Sequence, residues 1–255
     1  MGTLFVVATP IGNLNDISNR ALQTLREVDL IACEDTRQTI KLLNHFAIQK
    51  PLTSYHEFNE EKKAQELVDK LRGSTNIALV SDAGTPAIAD PGYRLVRLCR
   101  QEGIPIVAIP GPNAAVAALA ASGLPSDEFM FLGFLPSKKT ARRERLAALM
   151  NVSSTLVFFE APHRIESALE DVQDMWGDRE ACVARELTKI HEEFLFGRLS
   201  EVRPRLKALG EFVVVVAGAT EIKGTAPLTR EDVLKKLGMT RNQLYDLFFK
   251  KPNAG

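Results

Sequence analysis

Short apolar stretches alternate with amphipathic ones through the first hundred residues of this chain. Residues 4–8, 29–33, 77–80 and 104–109 are mostly apolar and often β-branched, as in buried strands. Between two of them, Ala64, Leu67, Val68 and Leu71 recur at the i, i+3, i+4, i+7 spacing of one helix face. Strand alternating with helix predicts a mainly parallel sheet with helices on its faces.

The run Pro110, Gly111, Pro112 opposes continuation of either element and marks a boundary. Beyond it the rhythm changes. Residues 114–122 form a small-residue helical pattern and 140–150 a second one. Strand-like runs follow at 155–159, 181–184, 193–196 and 212–217, with breaks at 151–154 and 176–178. Past residue 220, Thr229 to Asp232 can cap a helix whose apolar face is Val233, Leu234 and Leu237. A turn at Gly238 leads to a second helical stretch over 242–249. The expected organisation is α/β: one domain over 1–111, a second over 112–219, and a helix-turn-helix-like tail over 220–255. That tail is equally a simple way to end a chain.

Composition narrows the chemistry. With 255 residues, 45% of them hydrophobic, the chain can bury one large core or two moderate ones. Cys33, Cys99 and Cys182 are far apart and form no C-x-x-C pair, so buried reduced thiols are expected. His45, His56, His163 and His191 are isolated from one another, and no metal site is expected. No apolar run approaches membrane-spanning length and the start has no basic leader region, which predicts a cytoplasmic protein without membrane contact. The sequence lacks G-x-G-x-x-G, G-x-x-x-x-G-K-[ST] and G-x-S-x-G, so a dinucleotide fold, a P-loop NTPase and a nucleophile-elbow hydrolase are unsupported.

Charge matters through its distribution. Thirty-two Lys plus Arg balance thirty-two Asp plus Glu. Yet Lys138, Lys139, Arg142, Arg143 and Arg145 cluster around a single acid, Glu144, beside Gly133, Phe134, Leu135 and Pro136. Such a run suits either a solvated helix start or a phosphate-contacting patch.

The most informative segment is NIALVSDAGTPAIADPG, residues 76–92. A buried strand breaks there into small, turn-forming residues, which bring backbone amides and carbonyls close to a ligand. In open α/β sheets the ligand crevice lies at the carboxyl ends of the strands. Earlier in the chain, Glu34, Asp35, Thr36 and Arg37 follow the second strand; Asp35 either caps the next helix or lines a cleft.

In order along the chain stand VVATPIGNL (6–14), SDAGTP (81–86), IPGPNA (109–114), FFEAPHR (158–164), ARELTK (184–189) and GEF (210–212). This ordered set resembles the bacterial RsmI family, within the tetrapyrrole-methylase (class III) superfamily, and the likeness spans residues 3–218. The resemblance implies a two-domain fold with S-adenosylmethionine in the cleft between the domains. It implicates Pro10, Ser81, Asp82, Ala83, Gly84, Thr85, Phe159 and Glu211 in holding that cofactor, and Glu160, Arg185 and Glu186 as candidate catalytic groups. It also implies a homodimer and, as substrate, the ribose 2′-oxygen of a cytidine in the decoding region of 16S ribosomal RNA, with Lys138, Lys139, Arg142, Arg143 and Arg145 as RNA contacts. Ala8, Asn113 and Ala161 depart from the usual family pattern. A tetrapyrrole or protein-side-chain methyltransferase, and a non-catalytic RNA-binding assembly factor, are the alternatives.

Overall fold

The computed structural model describes residues 1–220 and Thr240. The tail expected over 220–255 therefore lies, apart from Thr220 and Thr240, outside the described residues.

The first half alternates strand and helix: β1 (Leu4–Val7), α1 (Asn19–Glu27), β2 (Leu30–Cys33), α2 (Thr36–His45), β3 (Leu52–Ser54), α3 (Glu60–Arg72), β4 (Ile77–Val80), α4 (Tyr93–Gln101) and β5 (Ile106–Ile109). Its sheet is parallel throughout, in the order β3-β2-β4-β1-β5. β4 sits at the centre and is buried on both faces, the reason its sequence is a continuous apolar run with no alternation. Ala64, Leu67, Val68 and Leu71 of α3 pack with Leu4, Ile77 and Leu79 on one face, while Leu25, Ile31, Ala78 and Val80 meet on the other. Asp35 is the N-cap of α2, its carboxylate accepting from the Arg37 amide at 2.8 Å.

The second half contains α5 (Ala114–Ser122), β6 (Phe129–Phe134), α6 (Lys139–Leu149), β7 (Thr155–Glu160), α7 (Ile165–Trp176), β8 (Glu180–Arg185), β9 (Glu193–Arg198), the short α8 (Leu199–Val202) and β10 (Phe212–Val216). The order is β6-β7-β10-β8-β9, with β6 parallel to β7 and the other neighbours antiparallel. α6 and α7 cover one face, where Leu146, Leu169 and Trp176 pack on Phe158 and Val214. α5 covers the other, with Ala118 and Leu119 against Val157, Cys182 and Val215. Its small residues let the helix lie close to the sheet, and the Asn113 side chain caps it by accepting from the Val116 amide at 3.1 Å.

Two strands lie outside the sequence expectation. β3 has three residues, all half-buried, and β6 is an edge strand whose Phe129, Met130 and Phe134 are exposed. Cys33, Cys99 and Cys182 are free and buried, and burial pushes the Cys99 and Cys182 thiols up to about 11. No helix among the described residues is long and apolar enough to cross a membrane.

Candidate active site

A cavity of about 420 Å³ opens between the carboxyl ends of β1 and β4 and the second sheet. Its first wall is the loop after β4, through Ala83, Gly84, Thr85, Ile88, Ala89 and Asp90, joined by Ile11 from the loop after β1. Phe134, Phe159, Glu160, Ala161 and Pro162, together with Leu187 and the run from Glu211 to Val213, form the opposite wall. Asn113 and Ala114, in the chain that links the sheets, close one end. The volume and largely apolar lining suit an organic ligand held by a few polar groups.

The first wall is fixed by hydrogen bonds. The Thr9 amide donates to the Gly84 carbonyl at 2.8 Å and the Gly84 amide to the Thr9 carbonyl at 3.1 Å, an isolated antiparallel bridge between the two loops. The Thr9 hydroxyl donates to the Ser81 carbonyl at 3.1 Å, and the Thr85 hydroxyl to the Pro112 carbonyl at 3.1 Å. Gly84 has φ +82°, left-handed backbone that favours glycine, and a side chain there would press on Ile11. Ala87 and Ala89 take positive φ (68° and 62°) without being glycine. Facing loops share this feature, since Glu186 and Thr188 have φ of 52° and 66°. Backbone strain of this kind persists only where surrounding contacts impose it, and it concentrates at ligand sites.

The opposite wall carries an aromatic cluster. The Phe159 ring lies 4.9 Å from Phe131 and 5.6 Å from Phe134, both edge-on. At the end of β7, the Glu160 carboxylate accepts from the Arg164 Nε at 2.7 Å and from the Ala161 amide at 2.8 Å, all through Oε1. Among the described residues its Oε2 is buried without a partner. A buried acceptor left open beside a cavity costs free energy unless a ligand or water meets it.

Where the loop after β1 approaches the second half, Gly12 lies against Leu187, Thr188 and Lys189. A Cβ on Gly12 would fall 2.6 Å from the Lys189 Cγ. A larger residue there would require the Lys189 and Thr188 side chains to shift.

The residue pattern of the tetrapyrrole (corrin/porphyrin) methylases matches residues 3–203. The chain belongs to that family. It is 52% identical over 223 residues to Ribosomal RNA small subunit methyltransferase I of Halalkalibacterium halodurans, covering 86% of this chain and 77% of that protein. To the protein of the same name from Thermotoga maritima it is 50% identical over 221 residues, 86% of this chain and 99% of the other. Among solved structures it is similar in fold to a diphthine synthase (TM-score 0.65, 17% identity, 85% of this chain and 90% of that one). A uroporphyrin-III C-methyl transferase from Thermus thermophilus, complexed with S-adenyl homocysteine, gives TM-score 0.59 at 18% identity, covering 85% and 97%.

Within this methylase, the residues expected at the cofactor divide. Ala83, Gly84, Thr85, Phe159 and Glu211 line the cavity. Pro10 and Ser81 do not: both are buried behind the wall, and Ser81 supports it through its carbonyl. Asp82 turns away to the start of α2, where its carboxylate accepts from the Asp35 amide at 3.0 Å.

The expected catalytic groups divide as well. Glu160 borders the cavity; Arg185 and Glu186 do not. The Arg185 guanidinium is held by Glu193 at 3.0 Å. Glu186 accepts from Lys189 at 2.8 Å and from the Glu211 amide at 2.9 Å, and the Lys189 hydrogen bond keeps its carboxyl below the usual range. These two residues brace the loops of the second wall.

The basic run also needs correction. Arg142 is 3% exposed and engages the buried Asp171 at 2.6 Å, and Arg143 bonds Asp171 at 2.8 Å and Asp174 at 2.9 Å. Lys138, Lys139 and Arg145 are exposed. Helical periodicity explains the split, since Arg142 shares a face with the buried Leu146 and Leu149. Among the described residues no cluster of His, Cys, Asp or Glu is arranged to hold a metal ion.

Sequence reasoning passed over Ile88, Ala89 and Asp90 as wall residues, although the Asp90-Pro91-Gly92 turn was visible. Asp90 is half-buried, and desolvation pushes its carboxyl up to about 6, opposed by the neighbouring Ser81 hydroxyl and assisted by the nearby Asp82 charge.

Proposed function

We propose that this chain is an S-adenosylmethionine-dependent methyltransferase of small-subunit (16S) ribosomal RNA, acting on the ribose 2′-oxygen of a cytidine in the decoding region. The cavity between the sheets carries this reading. It combines close backbone approach at Gly84, an aromatic wall at Phe134 and Phe159, and an unmet buried acceptor at Glu160. The relatives named ribosomal RNA small subunit methyltransferase support the choice of substrate, at about half identity over 86% of the chain.

The residues fit the cofactor. Ala83, Gly84 and Thr85 offer peptide groups unobstructed by large side chains, and Ile11, Phe159 and Leu187 offer apolar surface. When bound, S-adenosylmethionine supplies a methyl carbon already made electrophilic by the positive sulfur. The protein's task is then to align a hydroxyl with that carbon and to exclude water. Phe134 and Phe159 shield the site, while Glu186 and Lys189 hold the Leu187 loop against it. Lys138, Lys139 and Arg145 supply phosphate contacts from the start and outer face of α6. We assign the working form as a cytoplasmic homodimer.

Two measurements test this reading. Calorimetry is expected to give S-adenosylmethionine binding that Gly84→Val weakens. Nucleoside mass mapping of 16S ribosomal RNA is expected to lose one 2′-O-methylcytidine when the gene is deleted and regain it on complementation. An unchanged methylation map would overturn the substrate assignment.

A further inference from the structure

Side chains of a regular strand alternate between the two faces of their sheet. On β6, Phe131 lies on the cavity face beside Phe159, and Leu132 on the face covered by α6 and α7. Simple alternation would then put Phe134 on the same side as Leu132. It does not, because the register to β7 shifts. Phe131 stands opposite Val157 and Phe134 opposite Phe159, so three steps along β6 match two along β7. The extra residue falls within Leu132 and Gly133, where Gly133 takes a left-handed φ of +65° in open surroundings. A bulge of this kind re-aims the side chain that follows it. Phe134 is turned onto the cavity wall, while Leu135 stays in the core.

Two large apolar residues lining the cavity are exposed, Phe134 at 56% and Ile88 at 43%. Phe159 is half-buried, and its ring meets Phe134 at 64°, not stacked. A ring left this open at a cavity mouth has surface to offer a second flat partner. It also stands across the cavity from Gly84 and Thr85, the wall suited to the cofactor. Exposed cations follow it closely in the chain. Lys138 and Lys139 come four and five residues later, within about 18 Å even were the chain fully extended. An aromatic face beside exposed cations is how proteins hold single-stranded nucleic acid: a base stacks and the phosphates meet the charges.

We infer that Phe134 is the platform on which the base of the target nucleotide stacks while its ribose enters the cavity. This rests on the methyltransferase reading above and adds to it the group that seats the substrate. Stacking fixes the plane of the base, and through the glycosidic bond it limits where the ribose hydroxyl can lie. Every base has a flat face, so the platform supplies affinity and orientation and leaves base choice to other groups.

The test is single-turnover methylation of 30S subunits from a strain lacking the gene. It is read as the subunit concentration giving half the maximal rate, with S-adenosylmethionine affinity from calorimetry. Phe134 lies outside the packed cores, so its variants are expected to fold. Phe134→Ala is expected to raise the half-maximal concentration roughly 5–150-fold, the loss of one base stack, with cofactor affinity within about threefold of wild type. The loss should be equal at two salt concentrations, because the ring carries no charge to release counterions. Phe134→Tyr is expected to match wild type, and Phe134→Leu to fall with Phe134→Ala. A side chain that only shielded the site could be leucine. Wild-type behaviour in Phe134→Ala or Phe134→Leu, a loss seen at one salt concentration alone, or an equal loss of cofactor affinity overturns the role of Phe134 while leaving the enzyme assignment standing. Absence of methyl transfer by the wild-type chain overturns the functional reading and this role together.

Discussion

The Arg142 guanidinium and the Asp171 carboxylate lie 2.6 Å apart with side chains 4% and 0% exposed, joining α6 to α7 inside the second half. Arg143 reaches the other Asp171 oxygen at 2.8 Å, so one buried carboxylate anchors two arginines. Removing one partner of a buried pair leaves a charge unmet, which costs about 3–5 kcal/mol. Asp171→Ala is expected to destabilise by that order in denaturant unfolding, and a loss under 1 kcal/mol would contradict it. Burial alone would raise the Asp171 carboxyl, yet the Arg143 and Arg142 hydrogen bonds outweigh it and keep it below 3.8. A depressed folded value means stability that is present above 3.8 and lost as pH falls through the lower value. The acid limb of unfolding should accordingly flatten in the variant.

RNA affinity should follow the exposed cations alone. Replacing Lys138, Lys139 and Arg145 by Ala is expected to weaken RNA binding and to flatten its salt dependence by about 0.7 per lost phosphate contact. Cofactor affinity should stay the same, and melting temperature should fall only slightly, since the exposed Lys139 lies 3.9 Å from Asp171. Titration at two salt concentrations reads the slope, and an unaltered slope removes these residues from the interface.

Gly84→Val should act on binding more than on folding. The φ of +82° strains any L side chain, by about 1–2 kcal/mol, and the branched group would enter the cavity beside Ile11. Calorimetry is expected to show at least tenfold weaker cofactor binding in a protein that still melts cooperatively. Unchanged affinity would exclude this loop from the site.

Glu186→Ala should loosen the second wall. It removes the acceptor for Lys189 and for the Glu211 amide, a loss of about 1–3 kcal/mol. The expected result is a lower melting temperature and weaker cofactor binding. An unchanged melting temperature would contradict this bracing role.

Legibility in the sequence followed burial. β4 and α5 could be read because a doubly buried strand and a close-packed helix each leave one apolar signature. β3 and β6 could not, because half-exposed edge strands satisfy neither the alternating nor the continuous pattern. The loop from Ala83 to Thr85 was legible as small residues after a buried strand. Asp90 was visible, but its place on the cavity wall depends on loops far apart in the chain. Arg142 is the instructive case. Its spacing to Leu146 and Leu149 announced an inward face, yet its partner Asp171 is 29 residues distant, beyond any local pattern.

The reciprocal hydrogen bonds between Thr9 and Gly84 make the ligand-facing loop a continuation of the first sheet. A gate must swing cheaply, and this loop cannot move without parting the ends of β1 and β4. Their amides should be among the slowest in the molecule to exchange with deuterium, whether or not a ligand is bound. On the far side Phe134 is 56% exposed on an edge strand, with no such bridge to hold it. Changes at Phe134 should therefore alter how long a molecule dwells in the cavity more than changes in the first sheet do.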